Sequence, residues 1–328
     1  MFEVFDFGLD RLTVVGRMKR FTSRSRVKVG RTTMNEVDSK ALRMLRAEED
    51  FKGDGLDYLM DSVWLKIKDG RDYTSYVYNH WFRIGEHCFI QVYTGKERYG
   101  NDIRIDWNPA KVEEDEEWFI KELLGYVSNK DFTRIDLKID LRADFSKGWK
   151  VVEEGGCRKT HDIRSACGDL ETFYFGTPNS ECQTVIYNKA IEQNRHRIEA
   201  ASEEERERIR RETKYEKWWR IEERIKGSRA KRWENHKWFE NLKFVKEGVD
   251  VDWGDLDLKP NDKATLIACS VYPELIKEFG KQKRSKIKKM MAETEIKKST
   301  TVVKVVDLFE TQRCKFIEIK RFLQKVID

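Results

Sequence analysis

The most regular alternation in the chain runs over 132–141. There Ile135, Leu137, Ile139 and Leu141 fall on one side of an extended strand, and Arg134, Asp136, Lys138 and Asp140 on the other. Shorter β-branched and aromatic stretches predict strands at 9–16, 63–67, 73–81, 88–94, 102–107, 171–175, 181–188 and 218–225. Asp-Gly, Ile-Gly and Tyr-Gly-Asn steps punctuate the early ones. Helical stretches are expected near 36–48, from Asn108-Pro109 to about 127, and over 190–214. Asn108 before Pro109 reads as a helix start, and the acidic run 113–117 would sit at that helix's positive end. Beyond 240 the pattern turns helical, at 262–279, 281–297 and 301–326. The last of these carries apolar residues at 302, 305, 306, 309, 316 and 323. These elements predict an α+β protein with a central, largely antiparallel sheet and flanking helices. A domain over 1–240 would precede a basic helical region over 241–328.

Composition narrows the picture. Of 328 residues, 12% are aromatic, ten of them Trp, which excludes disorder as a description of the whole. Mean hydropathy is −0.75 and 38% of residues are charged, so a compact core must lie beneath a heavily charged surface. No apolar run approaches the ~20 residues of a membrane span. The opening Met1–Asp6 lacks the basic and apolar parts of a signal peptide, so a cytoplasmic protein without a membrane partner is expected. The six Cys, at 88, 157, 167, 182, 269 and 314, form no C-x-x-C pair and sit far from His at metal-ligand spacing. They read as reduced core thiols rather than a disulfide framework or zinc finger. Net charge is only +6, yet 277–298 carries nine Lys/Arg against three Glu, which points to an anionic partner.

Three groups of residues carry candidate chemistry. Asp136 and Asp140 share the polar side of their strand with Arg134 and Lys138. They form either a solvated face of alternating charge or a hard-cation site, because Mg²⁺ or Mn²⁺ seeks carboxylate oxygens. Glu222 would converge with Asp136 if the two strands are neighbours, whereas Glu223 points to the opposite face. Tyr187 ends a strand two residues before Lys189, which puts phenol and ammonium on one side. Either the Tyr is an ordinary buried side chain with a satisfied hydroxyl, or it is a nucleophile. A free phenol titrates near ~10, so attack on phosphorus needs a metal or a nearby cation. Finally, Lys281, Lys283, Arg284, Lys286, Lys288 and Lys289 suit phosphate contacts. The aromatics of 214–246 are either core or platforms for stacked bases.

Three stretches, in order, resemble one family. Arg134-Ile135-Asp136-Leu137-Lys138-Ile139-Asp140 is similar to its R-[IL]-D-L-x-[IV]-D strand. Phe173-Tyr174-Phe175-Gly176, with Ser180, Ile186-Tyr187-Asn188-Lys189 and Glu192-Gln193, is similar to its Y-x-G-S-R-x-S…I-Y-[ND]-K…E-Q block. Trp219-Arg220-Ile221-Glu222 is similar to its W-R-[IV]-E strand. The family is the Rep_trans group of rolling-circle plasmid replication initiators, with the related nicking relaxases of integrative conjugative elements; the resemblance covers about 60–230. It implies a topoisomerase-like, metal-dependent DNA-nicking strand transferase on a scaffold related to the HUH nicking enzymes. Such an enzyme recognises the double-strand origin and nicks one strand. A Tyr is left on the 5′-phosphate, and a free 3′-OH primes synthesis.

Carried onto this chain, the resemblance makes Tyr187 the nucleophile, assisted by Lys189. A Mg²⁺ or Mn²⁺ ion would be held by Asp136, Glu222 and Asp140. Contacts to double-stranded and melted origin DNA would come from Arg134, Lys138, Arg220, Lys281, Lys283, Arg284 and Lys288. It also implies a homodimer, a host replicative helicase as partner, and origin recognition by the C-terminal part. Two features depart from the family pattern. The loop is Gly176-Thr177-Pro178-Asn179-Ser180, without the family Arg. The paired His of the wider HUH enzymes is also missing, the five His at 80, 87, 161, 196 and 236 being isolated, so a carboxylate site would substitute, with His161 or His196 assisting at most. A conjugative relaxase with the same chemistry, or a non-catalytic DNA-binding regulator on the same scaffold, are the alternatives.

Overall fold

The structure, a computed structural model, describes residues 2–18, 26–29, 32–35, 45, 67–69, 80–93, 102–143, 149–155, 158–164, 170–214, 217–246, 257–298 and 301–328. In chain order its strands are β1 (Glu3–Met18), β2 (Arg26–Val29), β3 (Thr32–Asn35), β4 (Ile67–Asp69), β5 (His80–Ile84), β6 (Cys88–Val92), β7 (Ile103–Trp107) and β8 (Val127–Arg142). They continue with β9 (Trp149–Glu153), β10 (Thr160–Arg164), β11 (Leu170–Phe175), β12 (Cys182–Asn188), β13 (Trp218–Lys226), β14 (Leu242–Lys246) and β15 (Thr301–Lys304). The helices are α1 (Glu114–Gly125), α2 (Lys189–Ala200), α3 (Glu203–Lys214), α4 (Gly227–Lys231), α5 (Pro260–Val271), α6 (Lys281–Lys298), α7 (Val305–Glu310) and α8 (Arg313–Ile327). This is the expected α+β class. The predictions at 36–48, 63–66 and 73–79 lie outside the described residues, apart from a helical Leu45.

The chain divides into two compact units. The first comprises Met1–Phe7, Ile139–Glu223 and His236–Cys314; the second comprises Gly8–Lys138, Arg224–Asn235 and Lys315–Asp328. Within the second unit, hydrogen-bonded neighbours follow the order β8-β1-β7-β6-β5-β4. The β1/β7, β7/β6, β6/β5 and β5/β4 pairs are antiparallel. Leu12 stands opposite Trp107 and Val14 opposite Ile105, and all four side chains are buried. Such cross-strand apolar pairs are the unit of sheet stabilisation.

Helix α1 begins at Glu114, later than the Asn108-Pro109 signal suggested. Asn108 instead closes a turn: its side chain accepts from the Ala110 N–H at 3.0 Å, and its carbonyl accepts from Lys111 and Val112. The helix proper starts where the buried Glu116 carboxylate accepts from the Glu113 N–H at 3.1 Å. Gly85 is obligatory beside it. Its φ is +55°, and a Cβ there would lie 2.0 Å from Glu116 Oε1.

In the first unit the neighbours β10-β11-β12-β13 form one run of strands, with β10/β11 and β11/β12 antiparallel. A separate three-stranded antiparallel sheet has the order β15-β14-β9. Here two helical expectations fail. Residues 242–246 and 301–304 are strands, because Leu242-Lys243-Phe244-Val245 and Thr301-Val302-Val303 are β-prone runs that find partners distant in sequence. The long helix expected over 190–214 is two helices. The Ser202 carbonyl accepts from the Arg206 N–H at 2.8 Å and opens α3 as a new start. Helices α5 and α6 share a small core of Leu266, Cys269, Ile287 and Met290. Among the described residues no helix is long and apolar enough to cross a membrane.

Candidate active site

Strand β12 ends at Asn188, and α2 begins at Lys189 with Ile191 N–H donating to Asn188 Oδ1 at 3.1 Å. That strand-to-helix junction fixes Tyr187 and Lys189. Tyr187 is half-buried, and its hydroxyl donates to Oε1 of the buried Glu222 on neighbouring β13 at 2.5 Å. Lys189 is buried. Its ammonium lies 5.6 Å from the Tyr187 ring centroid, within cation–π range, and pairs with Glu192 Oε2 at 2.6 Å. In the first unit Tyr187 thus meets Glu222, which was expected beside Asp136 as a metal ligand, and the Lys189 ammonium lies against the Tyr187 ring as the sequence suggested.

The loop ahead of β12 is a closed turn. Gly176 has φ +87°, and a Cβ there would meet the Cys182 carbonyl at 2.7 Å. The Ser180 hydroxyl lies 2.6 Å from the Thr177 carbonyl and 2.8 Å from that of Cys182. The turn holds its shape without the family Arg.

The other expected acids have arginine partners. In the first unit Asp140 and Arg220 are both buried, with Nε to Oδ1 at 2.6 Å and Nη2 to Oδ2 at 2.8 Å. Arg220, expected on DNA, is thus an interior ion-pair partner. In the second unit Asp136 is clasped by Arg134, at 2.8 Å from Nε to Oδ1 and 2.5 Å from Nη2 to Oδ2, with Arg224 Nε at 3.9 Å. Lys138 is buried there.

Three buried carboxylates have the right chemistry for a hard cation. As arranged, however, both oxygens of Asp136 and of Asp140 accept from guanidinium groups, which repel such an ion. Held this way, neither Asp136 nor Asp140 fits as a ligand for such an ion.

Around Asp136 the second unit gathers cations that the sequence reading passed over. Arg11 binds Asp106 through Nε and Nη2 at 2.7 and 2.8 Å, and Arg104 reaches the same acid at 3.5 Å. The hydrogen bond to Asp106 raises the pKa of Arg11, and Asp136 adds to the effect. Burial, followed by the nearby Arg134, lowers that of Lys226. Arg224 and Lys226 continue the alternation of Arg220 and Glu222 along β13, a pattern visible in the sequence.

In the C-terminal region Lys281, Lys283 and Arg284 are exposed on α6, with the Lys283 ammonium 4.4 Å from the Phe279 ring centroid. Lys286 instead pairs with Asp262 at 2.7 Å, and Lys289 with Glu293 at 3.9 Å. Lys288 borders a first-unit cavity of about 400 Å³, lined also by Trp149, Phe173, Phe175, Arg158 and Arg164. Of the aromatics in 214–246, Trp219, Trp233, Trp238, Phe239 and Phe244 are buried, which is their core reading. His161 is exposed, its ring 6.0 Å from that of Tyr174; the side chain of His196 lies outside the described residues.

No protein-family model matches the chain. It is 27% identical over 229 residues to a replication initiation protein of Staphylococcus aureus. Two further proteins of that description from the same organism are 25% identical over 228 residues and 26% over 230. The first match takes in 69% of this chain and 63% of that relative, so the chain spans less than two thirds of the relative's own length. Among solved structures, it is similar to a rolling circle replication initiator protein from Geobacillus stearothermophilus. That match has a TM-score of 0.39 and 14% identity, covering 79% of this chain and 96% of that one. The resemblance to replication initiators, read from three motifs, is borne out by the curated relatives.

Proposed function

We propose that this chain initiates rolling-circle plasmid replication by nicking one strand of its double-strand origin, with Tyr187 as the nucleophile. The observation that carries the reading is the 2.5 Å hydrogen bond from the Tyr187 hydroxyl to Glu222. A phenol is a poor nucleophile at neutral pH, because it holds its proton until about pH 10. A carboxylate aimed at that proton remedies this as a general base.

In the step, Glu222 takes the phenolic proton and the Tyr187 oxygen forms a bond to phosphorus. The bond from phosphorus to the 3′ oxygen breaks, leaving a 5′-phosphotyrosine. The proton on Glu222 is then available to the departing 3′ oxygen, which becomes the free 3′-OH primer. Lys189 anchors the ring from its pairing with Glu192 and places positive charge near the reacting phosphate.

Supporting the choice of DNA are the exposed cations Lys281, Lys283 and Arg284 of α6, which suit phosphate. The cavity that brings Trp149, Phe173 and Phe175 beside Arg158 and Lys288 suits bases of a melted strand. The resemblance extends the proposal to a homodimer and a host replicative helicase.

The test is incubation with supercoiled DNA carrying its own origin, in Mn²⁺, in Mg²⁺ and in EDTA. Nicked product and an SDS-stable protein–DNA adduct are expected, with the EDTA arm reading the metal requirement directly. An adduct that persists in Tyr187→Phe removes Tyr187 from the mechanism. Binding without any nicking by the wild type turns the reading to a DNA-binding regulator.

A further inference from the structure

The opposite face of β13 carries a second constellation in the first unit. Glu223, buried beside Glu222 in sequence, faces away from Tyr187 and meets Cys182 of β12 and His236 of the following loop. Cys182 Sγ lies 3.5 Å from Glu223 Oε1, His236 Nε2 lies 3.0 Å from the same oxygen, and the three donor atoms all fall within 4.8 Å of one another. Zinc–ligand bonds of about 2.0–2.3 Å in a tetrahedral shell put neighbouring donor atoms roughly 3.3–3.7 Å apart. The donor set is also the right one, since thiolate, imidazole and carboxylate together select zinc and similar first-row ions over Mg²⁺.

The surroundings complete the match. Arg158 Nη1 lies 3.6 Å from Cys182 Sγ and 3.2 Å from Thr184 Oγ1, and its charge is balanced by Glu153 at 2.5 Å from Nε. With that pair cancelled, Cys182 thiolate and Glu223 carboxylate supply two negative charges to one divalent ion. The Phe239 N–H donates to Glu223 Oε2, which leaves Oε1 as the atom directed at Cys182 and His236. Phe239 and Asn241 hold left-handed φ values of +57° and +68°, so the loop bearing His236 is bent back over this glutamate.

We propose that Cys182, Glu223 and His236 form a zinc-type transition-metal site, with a fourth position for water. Binding displaces the proton of the Cys182 thiol, so affinity rises with pH. The site is distinct from the Tyr187–Glu222 pair and does not depend on its role.

The full chain, stripped with a chelator and titrated with Co²⁺, tests this. A thiolate-to-cobalt absorption band in the near ultraviolet and tetrahedral visible bands are expected, saturating at one ion per chain and abolished by one equivalent of Zn²⁺. Cys182→Ser should lose the thiolate band and His236→Gln should weaken binding at least tenfold, while Glu222→Gln retains both signals. No band in the folded wild type, or a band that survives Cys182→Ser, overturns the proposal and leaves a hydrogen-bonded cluster only. Loss of nicking in Glu222→Gln with cobalt binding intact separates this site from the strand-transfer chemistry.

Discussion

Glu222 and Glu223 are adjacent, equally buried and chemically identical, yet their surroundings differ. The first receives a phenol from a neighbouring strand; the second receives a thiol, an imidazole and a backbone N–H. Strand alternation alone creates the difference, by sending consecutive side chains to opposite faces that are both covered. The lesson is that a buried carboxylate takes its role from its face. The Glu222 face offers a hydroxyl that must lose a proton, and the Glu223 face offers soft donors that can share a cation.

The largest expected effect separates these two acids by function. Glu222→Gln should cut nicking by about 10²–10⁴-fold while leaving duplex affinity unchanged, as loss of a general base does. Glu223→Gln should leave the nicking rate per folded molecule near wild type. Comparable losses of nicking in both would erase the distinction. Rates of single-turnover nicking, normalised to folded protein, provide the check.

Next in size is the Asp140–Arg220 pair, a buried acid whose partner is a cation. Asp140→Ala should destabilise the protein by about 3–5 kcal/mol in urea unfolding, because Arg220 is left buried and uncompensated. Replacing both together, Asp140→Leu with Arg220→Met, should recover most of that loss. A double variant as unstable as the single would show that the pair does more than balance charge. Smaller again is Gly85→Ala, expected to cost about 1–3 kcal/mol through the left-handed φ and the collision with Glu116, with no change in nicking by the folded fraction. The smallest effect concerns phosphate contacts. Neutralising Lys283, Arg284 and Lys288 should flatten the dependence of log affinity on log salt by up to ~0.9 per lost contact. An unchanged slope would place α6 off the DNA.

Much of this was legible in the sequence where periodicity is strong. The alternation around Asp136 and Asp140 identified β8, and the I-Y-N-K segment marked Tyr187. Glu222 stands out on the strand Trp219-Arg220-Ile221-Glu222, but as a partner of Asp136; its hydrogen bond to Tyr187 is not foreseen there. What alternation cannot supply is the identity of a partner. It places Asp136 and Asp140 on a face without revealing that Arg134 and Arg220 hold their oxygens. The Cys182–His236 approach was invisible for a related reason. Metal-ligand spacing rules describe donors close in sequence, whereas these come from a strand and a distant loop. Strands β14 and β15 are not legible in the sequence, because short apolar runs declare themselves only through the partners they pair with.

The most direct test of the central claim is to digest the adduct formed on origin DNA and sequence the DNA-linked peptide by mass spectrometry. The account predicts a 5′-phosphodiester on the hydroxyl of Tyr187, within the peptide that runs on to Asn188-Lys189, and no such peptide from Tyr187→Phe. A nucleotide attached at any other residue would contradict it.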